Sequence, residues 1–245
     1  MPNLLKFPEE WKSKRQQFDL WDDFLDDQAD AVWTDTVTDT GTAAVGDAVG
    51  GVMVLTPSDG TVADNDEVYL ATANELFKFA ADKPFVGGAR IQFTETSAGI
   101  YNCFVGFCNA ISADTMLDNG GGMKVSGSCA AIYKIDGSGQ TMWKCVTANN
   151  SVSTVSTSST SIGGASYQNL EIEVLPFSST QVKVVFRVDG VPLKDSTTGL
   201  EIVHTVTVAS ATEMNFGMGA KLGAATNNDV LNVDAAWYAG IRANL

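Results

Sequence analysis

The sequence has little of what most catalytic and metal-binding sites are built from. It contains a single histidine, His204, and its four cysteines form no CxxC pair. A zinc site needs several cysteine or histidine ligands at short, regular spacing. We therefore predict no metal site and no cofactor.

Positive charge is also scarce over a long part of the chain. Residues 16–77 contain fourteen acidic residues and no lysine or arginine, and the formal net charge of the whole chain is −14. Such a surface repels phosphate backbones, so we predict no nucleic-acid partner. Two explanations of the acidity stay open: it keeps the protein in solution, or it matches a basic partner.

Long apolar runs are missing as well. No stretch of 18 apolar residues exists, and the N-terminus becomes charged within ten residues, without the apolar core of a signal peptide. We therefore expect no membrane partner, no signal-directed export and assembly in a reducing cytoplasm.

The cysteines are expected to be buried free thiols. Cys103 and Cys108 lie five residues apart in one predicted strand, so their side chains point to opposite faces and cannot bridge each other. Together with Cys129 and Cys145 they fit a protein assembled where disulfides are rare.

What the sequence does contain is a strand pattern. From about residue 48 the apolar residues recur with period two, as in residues 170–174 and in 182–188, which end in an Asp-Gly turn. About a dozen strands are predicted, including residues 76–79, and the polar tract 149–166 is predicted to be an exposed loop or an edge strand. The fold class is all-β, an antiparallel β-sandwich over residues 46–245, with a closed barrel as the alternative.

Residues 1–45 differ from the rest and are interpreted as an N-terminal arm. Pro8 and the acids after it predict the start of a short helix. The arm is rich in aromatic residues, which makes it unlike a disordered tail. We predict that these residues bind a neighbouring subunit; the alternative is that they pack on their own domain. The predicted partner-binding residues are Trp11, Phe18, Trp21, Phe24 and Trp33.

The order of features over residues 65–242 resembles a known family. A Phe104-Val105-Gly106-Phe107 strand is followed by a hairpin at Asp136-Gly137, by Met142-Trp143-Lys144, by a strand ending in Val188-Asp189-Gly190 and by a final aromatic strand. This order resembles the concanavalin A-like (laminin-G-like) jelly-roll sandwich, and in particular the versions found in tailed-bacteriophage decoration and cement proteins.

The resemblance implies a structural virion protein. On this basis we expect a capsid decoration or cement subunit on the virion capsid surface, assembled in the host cytoplasm. Its partners would be the major capsid protein and further copies of itself, as a dimer or trimer. The alternative is a carbohydrate-binding, lectin-like or receptor-binding module with a glycan as partner.

Candidate chemical sites in the sequence are weak, and we predict no catalytic residue. Glu171 and Glu173 share one strand face, interpreted as the solvent side, and lack the longer carboxylate run of jelly-roll glycosidases. His204 has no nucleophile motif around it and is interpreted as a surface strand residue. Residues 64–67 offer oxygen ligands of the type that calcium prefers, but a polar turn explains them equally well. Residues 118–122 are interpreted as a glycine-rich turn.

Overall fold

The computed structural model describes residues 17–25, 32–48, 50–58, 61–93, 95, 100–137, 139–224 and 229–241. These residues form eighteen strands, and none of them forms a helix, so no membrane-spanning helix occurs among them. The strands are β1 (Gln17–Asp22), β2 (Trp33–Thr38), β3 (Thr42–Val45), β4 (Met53–Thr56), β5 (Glu67–Thr72), β6 (Phe85–Phe93), β7 (Tyr101–Cys108), β8 (Met116–Leu117), β9 (Gly122–Met123), β10 (Cys129–Lys134), β11 (Met142–Asn149), β12 (Val152–Ser161), β13 (Gln168–Ser178), β14 (Gln181–Val188), β15 (Val191–Pro192), β16 (Val203–Thr207), β17 (Asn215–Leu222) and β18 (Leu231–Ile241).

Two antiparallel sheets contain nearly all of these strands. The nine-stranded sheet has the order β15-β14-β13-β6-β18-β4-β3, with β1 paired to β18 and β16 paired to β14. The seven-stranded sheet has the order β12-β11-β10-β7-β17-β5-β2, and β8 and β9 form a separate hairpin. The predicted antiparallel sandwich is confirmed.

The alternating strands place their apolar residues between the two sheets. In β14, Val182, Val184, Phe186 and Val188 are buried, and the intervening residues are only partly so. At the end of β14, Asp189 and Gly190 have φ values of 52° and 78°. Two successive residues with positive φ make the tight turn that matches the twist of a hairpin, as the Asp-Gly pair predicts.

The seven-stranded sheet is buried on its outer face too. All eight residues of β7 and all six of β10 are buried, because residues 109–128 lie across them. We call residues 109–128 the covering segment. Its Met116 and Met123 pack on Tyr69, Phe104 and Tyr133 of the sheet. β7 is therefore covered on both faces.

The structure corrects the predicted arm. The helix is wrong for the described residues, because residues 17–22 form β1, which pairs with β18. Residues 1–16, which contain the predicted helix start, lie outside the described residues. β2 pairs with β5 and β3 pairs with β4, so the described part of residues 1–45 belongs to the two sheets.

Two smaller predictions have different outcomes. Residues 76–79 form no strand, since only Phe77 makes an isolated bridge, to Met214. The polar tract contains β12, which is the edge strand of the seven-stranded sheet, as one of the two interpretations predicted. Its backbone also meets residues of the other sheet's connections: the Ser159 amide donates to the Lys194 carbonyl oxygen at 2.8 Å.

Candidate functional site

A single row of residues crosses the outer face of the nine-stranded sheet. Trp21 of β1 lies opposite Trp237 of β18, which lies opposite Gly88 of β6. Gly88 lies opposite Glu171 of β13, and Glu171 opposite Arg187 of β14. Residues directly opposite each other in antiparallel strands share one face, so these five form a continuous surface.

The two tryptophans in this row form an aromatic platform. Their ring centroids are 5.4 Å apart and their planes differ by 16°, so the indoles are stacked. The Trp21 side chain is 51% exposed, whereas Trp237 is half-buried beneath it. A face-stacked pair with one ring half in water is an open apolar surface with a defined orientation.

Glycine at position 88 lets the platform lie close to the sheet. A Cβ atom at this position would come within 2.6 Å of Cζ2 of Trp237 and 2.4 Å of the Leu170 carbonyl oxygen. Both distances are shorter than any real contact of a methyl group. The indole of Trp237 therefore occupies the space that a side chain at residue 88 would need.

Charged groups border the platform on the β13 and β14 side. Arg187 Nη2 donates to Glu173 Oε2 at 2.9 Å, and Arg187 Nε lies 3.5 Å from Glu171 Oε1. Burial raises the pKa of Glu171, and the Arg187 charge opposes that shift. This border offers both acceptors and donors beside an apolar ring.

A second group of polar residues lies two residues along β6 from Gly88. Arg90 forms an ion pair with Asp234, and its guanidinium lies over the Tyr167 ring, 4.3 Å from the ring centroid. Arg90 and Gly88 are two residues apart in β6 and therefore point to the same face. Arg90 thus lies on the same face as the platform, diagonal to Trp237 of the neighbouring strand.

A cleft of about 560 Å³ opens beside β1. Asp19 lines this cleft and lies on the same face of β1 as Trp21, two residues away. The cleft has an aromatic floor and a charged rim. Its floor includes Phe18, Phe77, Phe85 and Tyr238, and its rim includes Asp19, Glu75, Lys78, Lys83 and Glu213. The platform and the cleft together flank one strand, β1.

The outer face of the other sheet is closed by the covering segment. The side chain of Lys221 is 1% exposed. Its Nζ atom lies 3.2 Å from Glu67 Oε2, 2.9 Å from Asp114 Oδ1 and 2.5 Å from Asp118 Oδ1. Burial lowers the pKa of Lys221, but hydrogen bonds to Asp118 and Asp114 and the charge of Glu67 outweigh it and raise that pKa. These ion pairs hold the covering segment on the sheet, where it occupies the space a ligand would need.

The predicted partner-binding residues fall into different environments. Phe24 and Trp33 are each 1% exposed, inside the core of their own sandwich, where Trp33 Nε1 donates to Asp22 Oδ2 at 2.7 Å. Phe18 is half-buried against Phe77, with ring centroids 5.5 Å apart. For Phe24 and Trp33 the structure therefore favours the alternative, that they pack on their own domain.

Trp21 is different, because it faces solvent on the platform. Trp11 lies outside the described residues. The binding of a partner by either residue stays a prediction.

Sequence reasoning missed Trp237, the other half of the platform. Period-two alternation in β18 places residue 237 on the same face as Val233, which is in the core. A register shift between Val233 and Ala235 reverses that alternation, so Trp237 faces outward. One extra residue in a strand leaves no reliable mark in a single sequence.

The other candidate residues are used structurally. His204 was interpreted as a surface residue, but it is 5% exposed and joins the two sheets. Its Nδ1 lies 3.0 Å from Thr147 Oγ1 and its Nε2 lies 3.0 Å from Ser156 Oγ. Within the part of the chain that the structure describes, no nucleophile with an orienting acid surrounds this imidazole.

The polar runs also serve as structural turns. In residues 64–67, Asp66 Oδ2 accepts the Ala63 amide at 2.9 Å, whereas Glu67 faces Lys221. The described residues contain no group of three or more His, Cys, Asp or Glu side chains that could hold a metal ion. In residues 118–122, Asn119, Gly120 and Gly122 have positive φ, as a glycine-rich turn predicts.

Comparison with known proteins identifies the architecture. No protein-family model matches the sequence, and no curated protein sequence matches it. Solved structures do match over nearly the whole chain. The Emp47p carbohydrate recognition domain is 11% identical, with a TM-score of 0.58 and coverage of 92% of this chain and 97% of that chain. Lectin UEA-II complexed with galactose is 14% identical, with a TM-score of 0.56 and coverage of 93% and 98%.

A third match comes from a bacteriophage. The CBM2 module of the evolved Dit of Lactobacillus casei BL23 phage J-1 is 12% identical, with a TM-score of 0.51 and coverage of 94% and 98%. At such identities the likeness shows the fold alone. The protein therefore has a legume-lectin-like, concanavalin A-like β-sandwich fold, as the sequence resemblance predicted.

Proposed function

We propose that this protein is a carbohydrate-binding module that holds its ligand on the platform of Trp21 and Trp237. The observation that carries the proposal is the stacked, half-exposed indole pair with charged groups beside it. A sugar ring has a face of C–H groups that packs on an indole, and hydroxyl groups that need hydrogen-bond partners. Arg187, Glu171 and Arg90 supply such partners.

The fold supports this proposal. The similar structures include a carbohydrate recognition domain, a lectin with galactose and a phage CBM2 module. The covering segment fills the outer face of the seven-stranded sheet. The ligand is therefore placed on the outer face of the nine-stranded sheet.

The charge of the molecule narrows the ligand class. A net charge of −14 repels polyanions, so sulfated and uronic-acid polysaccharides are poor ligands. Neutral sugars avoid this repulsion. We therefore expect a neutral glycan whose ring stacks on Trp21.

Binding occurs here without turnover. A retaining glycosidase needs one carboxylate free as a nucleophile and a second as an acid. Glu171 and Glu173 instead share one arginine, Arg187. Both carboxylates are thus engaged by the same guanidinium group and neither is free as a nucleophile.

Substitution of the exposed tryptophan tests the proposal. Trp21→Ala removes the open half of the platform and should weaken binding to neutral glycans roughly tenfold or more, as for an anchoring aromatic in other binding sites. The measurement is a glycan array followed by calorimetry with the strongest ligand. Phe177→Ala is the matched control, because Phe177 is 53% exposed at the end of β13 and lies outside the row.

Two results contradict the proposal. One is the absence of binding to any neutral glycan by the intact protein. The other is equal affinity in the wild type and Trp21→Ala.

A second candidate is the capsid decoration or cement role. It is favoured by the likeness to a phage module and by the exposed Trp21 on β1. In this role the partner of Trp21 is the major capsid protein or another copy of the chain on the virion surface. Co-sedimentation with capsids and the oligomeric state in solution test it. Capsid binding that Trp21→Ala abolishes, with no glycan bound, favours this role over the first.

A further inference from the structure

Two of the four cysteines are direct cross-strand neighbours. Cys108 of β7 lies opposite Cys129 of β10, and their sulfur atoms are 3.0 Å apart. Both are free thiols on the outer face of the seven-stranded sheet, 3% and 1% exposed beneath the covering segment. The covering segment begins immediately after Cys108 and ends immediately before Cys129.

The backbone between these strands has the geometry that a disulfide needs. The Asn109 amide donates to the Ser128 carbonyl oxygen at 2.9 Å, so residues 109 and 128 form a hydrogen-bonded pair. The adjacent pair, Cys108 and Cys129, is then a non-hydrogen-bonded pair, in which the Cα atoms are typically about 4.5 Å apart. That separation lies within the range that disulfides span.

The other two cysteines provide an internal comparison. Cys103 lies opposite Lys134 and Ala220, and Cys145 lies opposite Ile132 and Ser156. Both are buried on the inner face of the sheet, away from the outer pair. Burial raises the pKa of Cys103 to about 12, so the reactive thiolate form of this cysteine is scarce.

We propose that Cys108 and Cys129 are a site of reversible disulfide formation at the base of the covering segment. An external disulfide such as oxidised glutathione is the oxidant. The two S–H bonds break, the Sγ–Sγ bond forms, and the two electrons and two protons pass to glutathione, which leaves as two thiols. A cell-surface or virion environment favours the disulfide, and the cytoplasm favours the dithiol.

The covering segment controls the rate of this reaction. The hydrogen bond to Cys129 and burial hold the pKa of the Cys108 thiol well above its ordinary value, so the attacking thiolate is scarce while the segment is closed. The ion pairs of Lys221 with Asp114 and Asp118 keep it closed. Opening of the segment exposes the sulfurs, so weaker ion pairs should give faster oxidation.

To test the proposal, the intact native protein is equilibrated with oxidised glutathione. The exchange reaction is then quenched in acid, and the free thiols are counted after denaturation. We expect two of the four thiols to disappear and no glutathione to remain attached. In Cys103→Ser, tryptic peptides 91–124 and 125–134 should be joined by a bond that reduction breaks. The oxidised protein should melt roughly 5–10 °C higher than the reduced one, because the bond closes the covering segment into a loop.

The variants distinguish this site from general oxidation. Cys108→Ser and Cys129→Ser should each lose the melting shift, whereas Cys103→Ser and Cys145→Ser should keep it. Asp118→Asn should oxidise several-fold faster and reach the same end point. Any of three results would overturn the proposal: four free thiols at equilibrium, a stable glutathione adduct, or oxidation of Cys103 or Cys145 in place of the pair. The thiol count is made on the wild-type protein, so it does not depend on whether a variant folds.

Discussion

At the scale of single residues, the orientation of the platform depends on the absence of one side chain. Gly88 leaves room for the Trp237 indole, and the indole in turn supports Trp21. We therefore expect a methyl group added at residue 88 to disturb the platform, just as loss of the Trp21 ring would.

Gly88→Ala should displace Trp237 and destabilise the protein. The new Cβ atom would meet the Leu170 carbonyl oxygen at 2.4 Å and Trp237 at 2.6 Å. Overpacking of this kind typically costs about 1–3 kcal/mol. Urea unfolding measures the cost, and near-ultraviolet circular dichroism reports the disturbed indole pair. Gly46→Ala is a milder control, since the nearest atom to its Cβ is Cγ2 of the Val54 side chain at 2.9 Å. Equal effects of the two substitutions would argue against the role of Gly88.

His204 should make the stability fall in mild acid. Burial lowers the pKa of His204 from 6.5 to about 4, so the folded protein keeps this imidazole neutral while the unfolded chain protonates it. Its contribution to stability is complete above about pH 6.5 and is lost as the pH falls towards 4. Urea unfolding of the wild type and His204→Gln across this window measures the effect. The difference in unfolding free energy between the two should shrink as the pH falls; a constant difference would contradict the assignment.

At the scale of elements, the first three strands decide whether the sandwich can form. β2 carries Trp33, whose ring lies 6.4 Å from Phe216 and 6.0 Å from Phe24, all within the core. β1 extends the pairing of β18 beyond the end of β4. These strands therefore contribute buried aromatic surface and backbone pairing to both sheets.

Deletion of residues 1–45 should consequently unfold or aggregate the protein. The deletion removes β1, β2 and β3 and exposes the side of β5 that pairs with β2. Loss of a buried tryptophan alone typically costs about 3–5 kcal/mol. Circular dichroism and size-exclusion chromatography measure the outcome. Deletion of residues 1–16 is the control, since it leaves all eighteen strands in place. A folded, monomeric product of the longer deletion would show that the sheets do not need these strands.

The elements differ in how far the sequence could predict them. Apolar residues alternate over 170–174 of β13 and 182–188 of β14, and an Asp-Gly turn signal follows β14, so the sequence predicts both strands. β1 lies in the arm, where Pro8 and the acids after it predict a short helix, and pairing with β18 outweighs that local preference. The platform could not be predicted, because the bulge before Ala235 and the contact with β1 are both long-range properties of the sheet.

At the scale of the whole molecule, charge works against compactness. Twenty-nine acidic residues oppose fifteen basic ones, and folding brings the excess negative charge closer together. The buried cation Lys221 relieves this repulsion locally, between Glu67, Asp114 and Asp118.

Salt should therefore stabilise the protein. Raising sodium chloride from about 0.01 M to about 0.5 M shortens the Debye length from about 30 Å to less than 8 Å, which screens the repulsion between distant carboxylates. We expect the melting temperature to rise by a few degrees, as measured by differential scanning calorimetry. A melting temperature that falls over this range would show that attractive surface ion pairs dominate instead.

The covering segment affects how slowly the amide hydrogens of the sheet beneath it exchange with solvent. It leaves β7 and β10 with sheet neighbours on both edges and packed side chains on both faces, so neither strand has a wetted surface. Opening of the covering segment wets only the outer face of these strands and leaves their amide groups hydrogen-bonded to the neighbouring strands. Their amide hydrogens should exchange with deuterium only when the entire molecule unfolds, and these two strands then report the global free energy of unfolding.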